Sequence, residues 1–350
     1  MRYPAGIYNI NYAQDMSIIR TKAHWVIFAL GMIALFTFPL YATSFIHIIN
    51  LVGIYVISAV GLMLLTGYCG QISLGQAAFM MVGAYTGAWM TRAGFPFWGT
   101  LILSGLITGV VGLIFGLPAV RVKGFYLAMS TLAAQFIIPW CIVEIRPDFT
   151  GGIHSLRVNP MTIFGHKLIS QIEMFYVIIT ITCILIIFAK NLVRTQIGRA
   201  WVAIRDNDLA AEVLGINIFL YKLIAFFVCT FFAGISGCLW AHWMRNVGPT
   251  HFEFVTSIWF LGMIILGGMG SITGAVVGVI VVRILDYVVS ILLTPLVEEA
   301  FPLLSNQIVA GLPAFVFGLI ILLFIIFEPR GVNHRWEIFK ASYRIWPFSY

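Results

Sequence analysis

Gly198-Arg-Ala-Trp-Val-Ala-Ile-Arg-Asp-Asn-Asp-Leu-Ala-Ala-Glu-Val-Leu-Gly-Ile-Asn217 is a polar stretch set between two long apolar runs, 173–190 and 219–243. Arg199, Arg205, Asp206, Asp208 and Glu212 fall within it, in a chain that is only 9% charged. Such charges cannot lie in hydrocarbon, whereas each flanking run is long enough to cross it. The stretch is therefore a loop at a membrane face, and its flanks are transmembrane helices. Trp201, Ile204, Leu209, Val213 and Ile216 recur at roughly helical spacing, and Gly215 suits a helix stop. The loop is predicted to carry a short amphipathic helix, which either rests on lipid headgroups or is presented to a soluble partner.

The rest of the chain follows the same pattern. It is 61% hydrophobic over 350 residues, with a mean hydropathy of +1.00. No polar stretch is long enough for a separate soluble domain. The expected fold is all-α: a single polytopic membrane domain over 1–350, with the loop at about 191–218 as its largest polar excursion. About ten spans are predicted, at 23–41, 46–66, 76–91, 98–118, 124–144, 173–190, 219–243, 255–267, 272–293 and 307–327. The first is read as an uncleaved helix, because it has no clear small-x-small cleavage site. Spans 76–91 and 255–267 are short and adjoin glycine-rich breaks, which suggests broken or re-entrant helices.

Basic residues orient the chain. With the N-terminus in the cytoplasm, fourteen of the 20 Lys and Arg residues fall inside, five outside, and Arg283 within a span. This bias places both termini and the 191–218 loop in the cytoplasm. It also accounts for the net charge of +7 without a nucleic-acid partner. The five cysteines are scattered on apolar segments and read as small buried hydrophobes rather than metal ligands.

A faint repeat links Gly67-Tyr-Cys-Gly70-Gln-Ile72-Ser73 to Gly267-Gly-Met-Gly270-Ser-Ile272-Thr273, at an offset of 200 residues. Its expected meaning is two related halves, each with a helix break near a solute pathway. Neutral polar residues in apolar spans are the pathway candidates: Gln71, Ser73, Gln76, Ser130, Thr131 and Gln135, with the break glycines Gly67, Gly70, Gly75, Gly267 and Gly270. Neutral donors and acceptors could pass a zwitterion without trapping it, and the same groups could equally glue helices together. Arg283 and Asp286 lie three apart on one helix, as a local ion pair or as a gate or subunit contact.

The segment Gly67-Tyr-Cys-Gly-Gln71-Ile-Ser73-Leu-Gly75-Gln76, followed by Gly124-Phe-Tyr126, Thr150-Gly151-Gly152 and Phe327-Glu-Pro329-Arg330-Gly331, resembles the M-type permease subunit of the high-affinity branched-chain amino-acid ABC importers. The resemblance covers about residues 45 to 335. It implies a coupling helix at 198–217, whose Ala210-Ala211-x-x-x-Gly215 core would dock an ATPase, with Arg199, Arg205, Asp208 and Glu212 setting the register. It further implies a homologous second permease, two cytoplasmic ATPase subunits that use ATP and Mg, an extracytoplasmic solute-binding protein, and a lipid-embedded place in a bacterial or archaeal inner membrane. The chain has no cofactor of its own: Gly267-Gly-Met-Gly270-Ser lacks the Gly-Lys-Ser/Thr of a phosphate loop, and no catalytic constellation is visible. The expected solutes are branched-chain or other hydrophobic amino acids. Urea and short amides are the alternative within the family, and an ATP-independent secondary transporter or channel is the alternative outside it.

Overall fold

A computed structural model describes residues 22–41, 43–120, 126–144, 150–152, 155–163, 165–300, 305–328 and 331–345. The described helices are α1 (Lys22–Tyr41), α2 (Ile46–Met63), α3 (Gln76–Arg92), α4 (Phe97–Val120), α5 (Tyr126–Glu144), α6 (Gln171–Arg194), α7 (Gln196–Asp206), α8 (Asp208–Val213), α9 (Ile218–Met244), α10 (Phe254–Gly267), α11 (Ile272–Ala300), α12 (Ser305–Phe327) and α13 (Val332–Ile345). Two small antiparallel pairings, Leu156–Arg157 with Asn246–Val247 and Thr162–Ile163 with His166–Lys167, and two 3-10 turns, Thr43–Phe45 and Pro249–Phe252, accompany the helices. The protein is an all-α, polytopic membrane protein.

Each of the ten predicted spans falls on a helix, save that residues 124–125 of the fifth lie outside the described residues. Among the described residues, seven are long and apolar enough to cross a membrane, and the bent pair α12–α13 makes an eighth if it is counted as one span. One of the spans missing from ten, α3, is short for a physical reason. α2 runs on through a π turn, Leu64–Tyr68, and residues 69–75 then double back beside it without forming a helix. Gln76, the first residue of α3, donates from Nε2 to the Ser58 carbonyl oxygen at 3.0 Å. Ser58 lies ten residues before Tyr68, roughly 15 Å along the helix, so α3 starts deep within the bundle rather than at its face. Seventeen residues then suffice to reach the far side.

The inner layer is α2, α3 and α9, held together by glycine. A Cβ at Gly83 would lie 2.2 Å from the Gly234 carbonyl oxygen, and one at Gly237 would lie 1.9 Å from that of Met80. Only glycine permits such a crossing, and in lipid close packing takes the place of the hydrophobic effect as the force between helices. On α4 the glycines Gly105, Gly109, Gly112 and Gly116 form a ladder into which Phe231, Phe227, Thr230 and Phe226 of α9 fit. Trp98, Ile102, Leu106, Val110 and Ile114, four residues apart on the same helix, are exposed and face outward from the bundle.

Local sequence explains the helix ends. Ser170 and Glu173 form a capping box at the start of α6, and Asn217 accepts from the Leu220 N–H to start α9. The predicted single helix over the 198–217 loop is two helices. Asn207 leaves the helical conformation and caps α8, its Oδ1 accepting from the Ala210 N–H at 3.1 Å. Gly215 takes φ +83° just past α8, as expected of a helix stop. His242 is buried, between the Thr91 hydroxyl at 2.8 Å and the Cys238 carbonyl oxygen at 2.7 Å.

Candidate functional site: a polar loop anchored to two helix breaks

The two breaks that the repeat marks come together in space. Gly70 and Gly270 both adopt positive φ, +72° and +93°. A Cβ at Gly67 would stand 2.8 Å from the Gly270 nitrogen, and the Gly270 N–H points to the Met63 sulfur at 3.3 Å. Gly267 packs more closely still, a Cβ there standing 1.9 Å from the Gly274 carbonyl oxygen.

The polar loop is fixed to this junction by its first helix. Trp201 and Ile204 of α7 are buried, and the Trp201 indole N–H donates to the Tyr221 carbonyl oxygen at 2.9 Å. Arg205 turns inward. Its Nη1 donates to the Gly67 carbonyl oxygen at 2.9 Å, a group freed by the break, while Nε and Nη2 rest on Asp206 Oδ1 at 3.0 and 2.9 Å. Its aliphatic stem is so close to Gly70 that a Cβ there would meet Arg205 Cγ at 2.9 Å. Asp206 thus aims the guanidinium, and Arg205 links α7 to the α2–α3 break.

The second helix of the loop differs in character. Ala211 is buried, but Ala210 and Glu212 are exposed, and so are Leu209, Val213 and Leu214, at 60%, 88% and 78%. Asp208 occupies the first turn of α8, where its charge suits the helix dipole. Arg199 lies on α7, with Nη1 bonded to the Arg194 carbonyl oxygen at 3.1 Å. The loop therefore has a seated half and a projecting half, and the projecting half carries exposed apolar side chains.

The polar residues singled out in the spans divide into two groups. Gln76, Thr131 and Gln135 surround the buried start of α3. Thr131 Oγ1 accepts from the Leu74 N–H at 2.9 Å, Gln135 Oε1 from the Ala78 N–H at 3.1 Å, and Ser257 Oγ from the Ala77 N–H at 2.9 Å. Ser257 in turn donates to Gln135 Oε1, and Gln135 Nε2 donates to the Phe252 carbonyl oxygen. These side chains satisfy the N–H groups that every helix start leaves bare, which inside a membrane bundle would otherwise go unpaired. Gly75 lets this happen, since a Cβ there would come within 2.6 Å of the Thr131 carbonyl oxygen. Ser130, half-buried, donates to the Phe115 carbonyl oxygen at 2.9 Å. The second group is Gln71 and Ser73. Both are buried, and Gln71 Oε1, Ser73 Oγ and the neighbouring Thr66 Oγ1 have no hydrogen-bond partner among the described residues.

Ser257 and Asn207 are not among the site candidates read from sequence. Asn207, directly before Asp208, carried a helix-start signal that an apolar periodicity running through it concealed. Gln135→Leu is expected to lower stability by about 1–3 kcal/mol, because it leaves the Ala78 N–H and Phe252 carbonyl groups buried and unpaired. A thermal melt of the purified protein in detergent checks this.

Comparison with known proteins agrees with this architecture. A family model described as "Branched-chain amino acid transport system / permease component" matches residues 44–327. The permease protein LivM of the high-affinity branched-chain amino acid transport system of Salmonella typhimurium is 31% identical over 251 residues, covering 65% of this chain and 59% of the relative. The chain thus matches about three fifths of the length of that relative. The probable branched-chain amino acid transport permease protein LivM of Methanocaldococcus jannaschii is 23% identical over 241 residues, 66% of each chain. The fructose import permease protein FruG of Bifidobacterium longum is 26% identical over 336 residues, covering 90% of this chain and 92% of the relative. No solved structure matches. With the model match running from α2 to the end of α12, over helices whose breaks, caps and glycine seams have just been described, the chain belongs to the family of branched-chain amino acid transport system permease components.

Proposed function

We propose that this chain is one permease subunit of an ATP-driven importer for branched-chain or other hydrophobic amino acids. It would work with a second homologous permease, two cytoplasmic ATPase subunits supplying the energy of ATP with Mg, and an extracytoplasmic solute-binding protein. The chain itself is not an enzyme and uses no cofactor. Its 191–218 loop and both termini lie in the cytoplasm of a bacterial or archaeal cell, as the distribution of basic residues supports.

The observation that carries this reading is the divided loop. α8 presents Leu209, Val213 and Leu214 to a soluble partner, with Asp208, Ala210, Glu212 and Gly215 around the contact. Arg199 and Arg205 hold the α7 side. Movement imposed on α8 would pass through α7 and Arg205 to the Gly67 carbonyl, and from there to the Gly270 break that touches it. Gln71 Oε1 and Ser73 Oγ, next to Gly70 and without a partner among the described residues, support a solute path along the same break. Gln76, Ser130, Thr131 and Gln135 shape that path by holding the start of α3 and the flank of α5, and Gly75 and Gly267 by admitting close backbones. A sugar is the second reading for the solute, because the match to the fructose permease spans more of the chain than any LivM match described above.

Arg205→Ala tests the coupling route. In vesicles containing the whole complex, uptake is expected to fall roughly ten- to a hundredfold, the equivalent of losing one charge-assisted hydrogen bond of about 1.5–3 kcal/mol. ATP hydrolysis should continue but lose its dependence on loaded binding protein. Uptake at the wild-type rate would show that α7 transmits nothing through this residue.

A further inference from the structure

Arg283 and Asp286 lie in the middle of a span. α11 crosses as Ile272–Ile291, and Arg283 stands eleven residues beyond its start, roughly 16 Å along a hydrocarbon layer about 30 Å thick. Arg283 Nη1 pairs with Asp286 Oδ2 at 3.0 Å. The guanidinium carbon sits 4.0 Å from the centre of the Tyr55 ring, itself near the middle of the Ile46–Tyr68 span. Arg283 Nε is buried with no hydrogen-bond partner among the described residues, whereas the Asp286 side chain is 29% exposed. Ile280 and Tyr287, one turn to either side of Arg283 on the same face, are also exposed.

A carboxylate left partly open at this depth cannot face acyl chains, because the cost of a charge in hydrocarbon is several kcal/mol. The face must be turned to water or to protein. What it offers is one positive and one negative group side by side, an aromatic ring beneath the cation, and apolar residues above and below. A free amino acid carries the complementary set: a carboxylate, an ammonium group and a side chain. It could open the pair one partner for one partner, and the pair would close again behind it, so that binding stays weak enough for passage.

We infer that Arg283, Asp286 and Tyr55 form a transit site for the zwitterionic head group of an amino acid, with Arg283 taking the carboxylate and Asp286 the ammonium group. This rests on the importer function proposed above. It differs from a structural brace or a contact with the second permease in what happens when both charges are removed together. A brace tolerates that change, since neither group is left buried and alone. A transit site does not.

The test uses the complete complex in vesicles, with a branched-chain amino acid and its binding protein outside and ATP on the cytoplasmic side. Arg283→Gln, Asp286→Asn and the double variant should each take up less than about a tenth of the wild-type amount, with co-purification of all subunits and basal ATP hydrolysis unchanged. Arg283→Lys, which keeps the ion pair but loses the planar fork, should lower uptake several-fold at unchanged basal hydrolysis. Uptake restored to wild type in the double variant, or unaltered in Arg283→Lys, would overturn the transit site. So would loss of the second permease on purification of the double variant, which would mark the pair as a subunit contact. Wild-type vesicles that take up no amino acid would instead overturn the proposed function itself.

Discussion

Gly237→Val is expected to leave little or no folded chain. The substitution drives a branched side chain into the Met80 carbonyl, 1.9 Å from where its Cβ must stand, and the obstacle is backbone of α3 that cannot rotate aside. Overpacking in a close-packed core costs about 1–3 kcal/mol, and more where nothing can yield, against a total stability of about 5–15 kcal/mol. Moving α3 and α9 apart would also open the Gly83–Gly234 contact on the same seam. The measurement is the yield of monodisperse protein in detergent. Gly318→Val, on the outer helix α12 where a Cβ meets nothing within 4 Å, is the control and should purify normally. Equal yields would mean that the α3–α9 seam does not set the stability of the bundle.

The second large effect is functional. Leu209→Asp combined with Val213→Asp should leave folding untouched, because both side chains are already exposed in the isolated chain. It should remove ATPase binding. Apolar anchors at the centre of an interface contribute about 2 kcal/mol or more each, so two of them should weaken docking by roughly a thousandfold. Pull-down of the ATPase subunits by the tagged chain reads this directly. If they remain bound to the double variant, the docking surface lies elsewhere on the chain.

The spans could be read from sequence because the bilayer imposes a length and a polarity that each segment must meet by itself. The helix breaks were visible for a related reason, since Gly67, Gly70 and Gly75, like Gly267 and Gly270, are conspicuous in apolar surroundings. What could not be read was which groups meet. Thr131 and Gln135 are polar positions in a span whatever they touch. That they cap α3, together with Ser257, depends on contacts between residues 57 and 180 positions apart, which periodicity within a helix does not encode. The direction of Arg205 escaped for the same reason. A charge in a polar loop reads as solvent-facing, and only the nearness of the Gly67 carbonyl turns it inward. The α4 glycine ladder, by contrast, stands in the sequence at three- and four-residue spacing and could have been taken as a packing face.

The deep start of α3 also constrains the order in which the chain can be made. Membrane helices leave the ribosome and enter the bilayer from the N-terminus onward, but the groups that satisfy the first turn of α3 lie on α5 and at the start of α10. When α3 emerges, its leading amides have no protein partner, and those of Ala77 acquire theirs only once Ser257 has been synthesised. α3 therefore has to remain in a wet or sheltered environment, such as the insertion channel, through the synthesis of some 180 further residues. A nascent chain stopped short of α10 is an incomplete protein in a stronger sense than its length suggests, because it lacks the closing contact of a helix near its beginning.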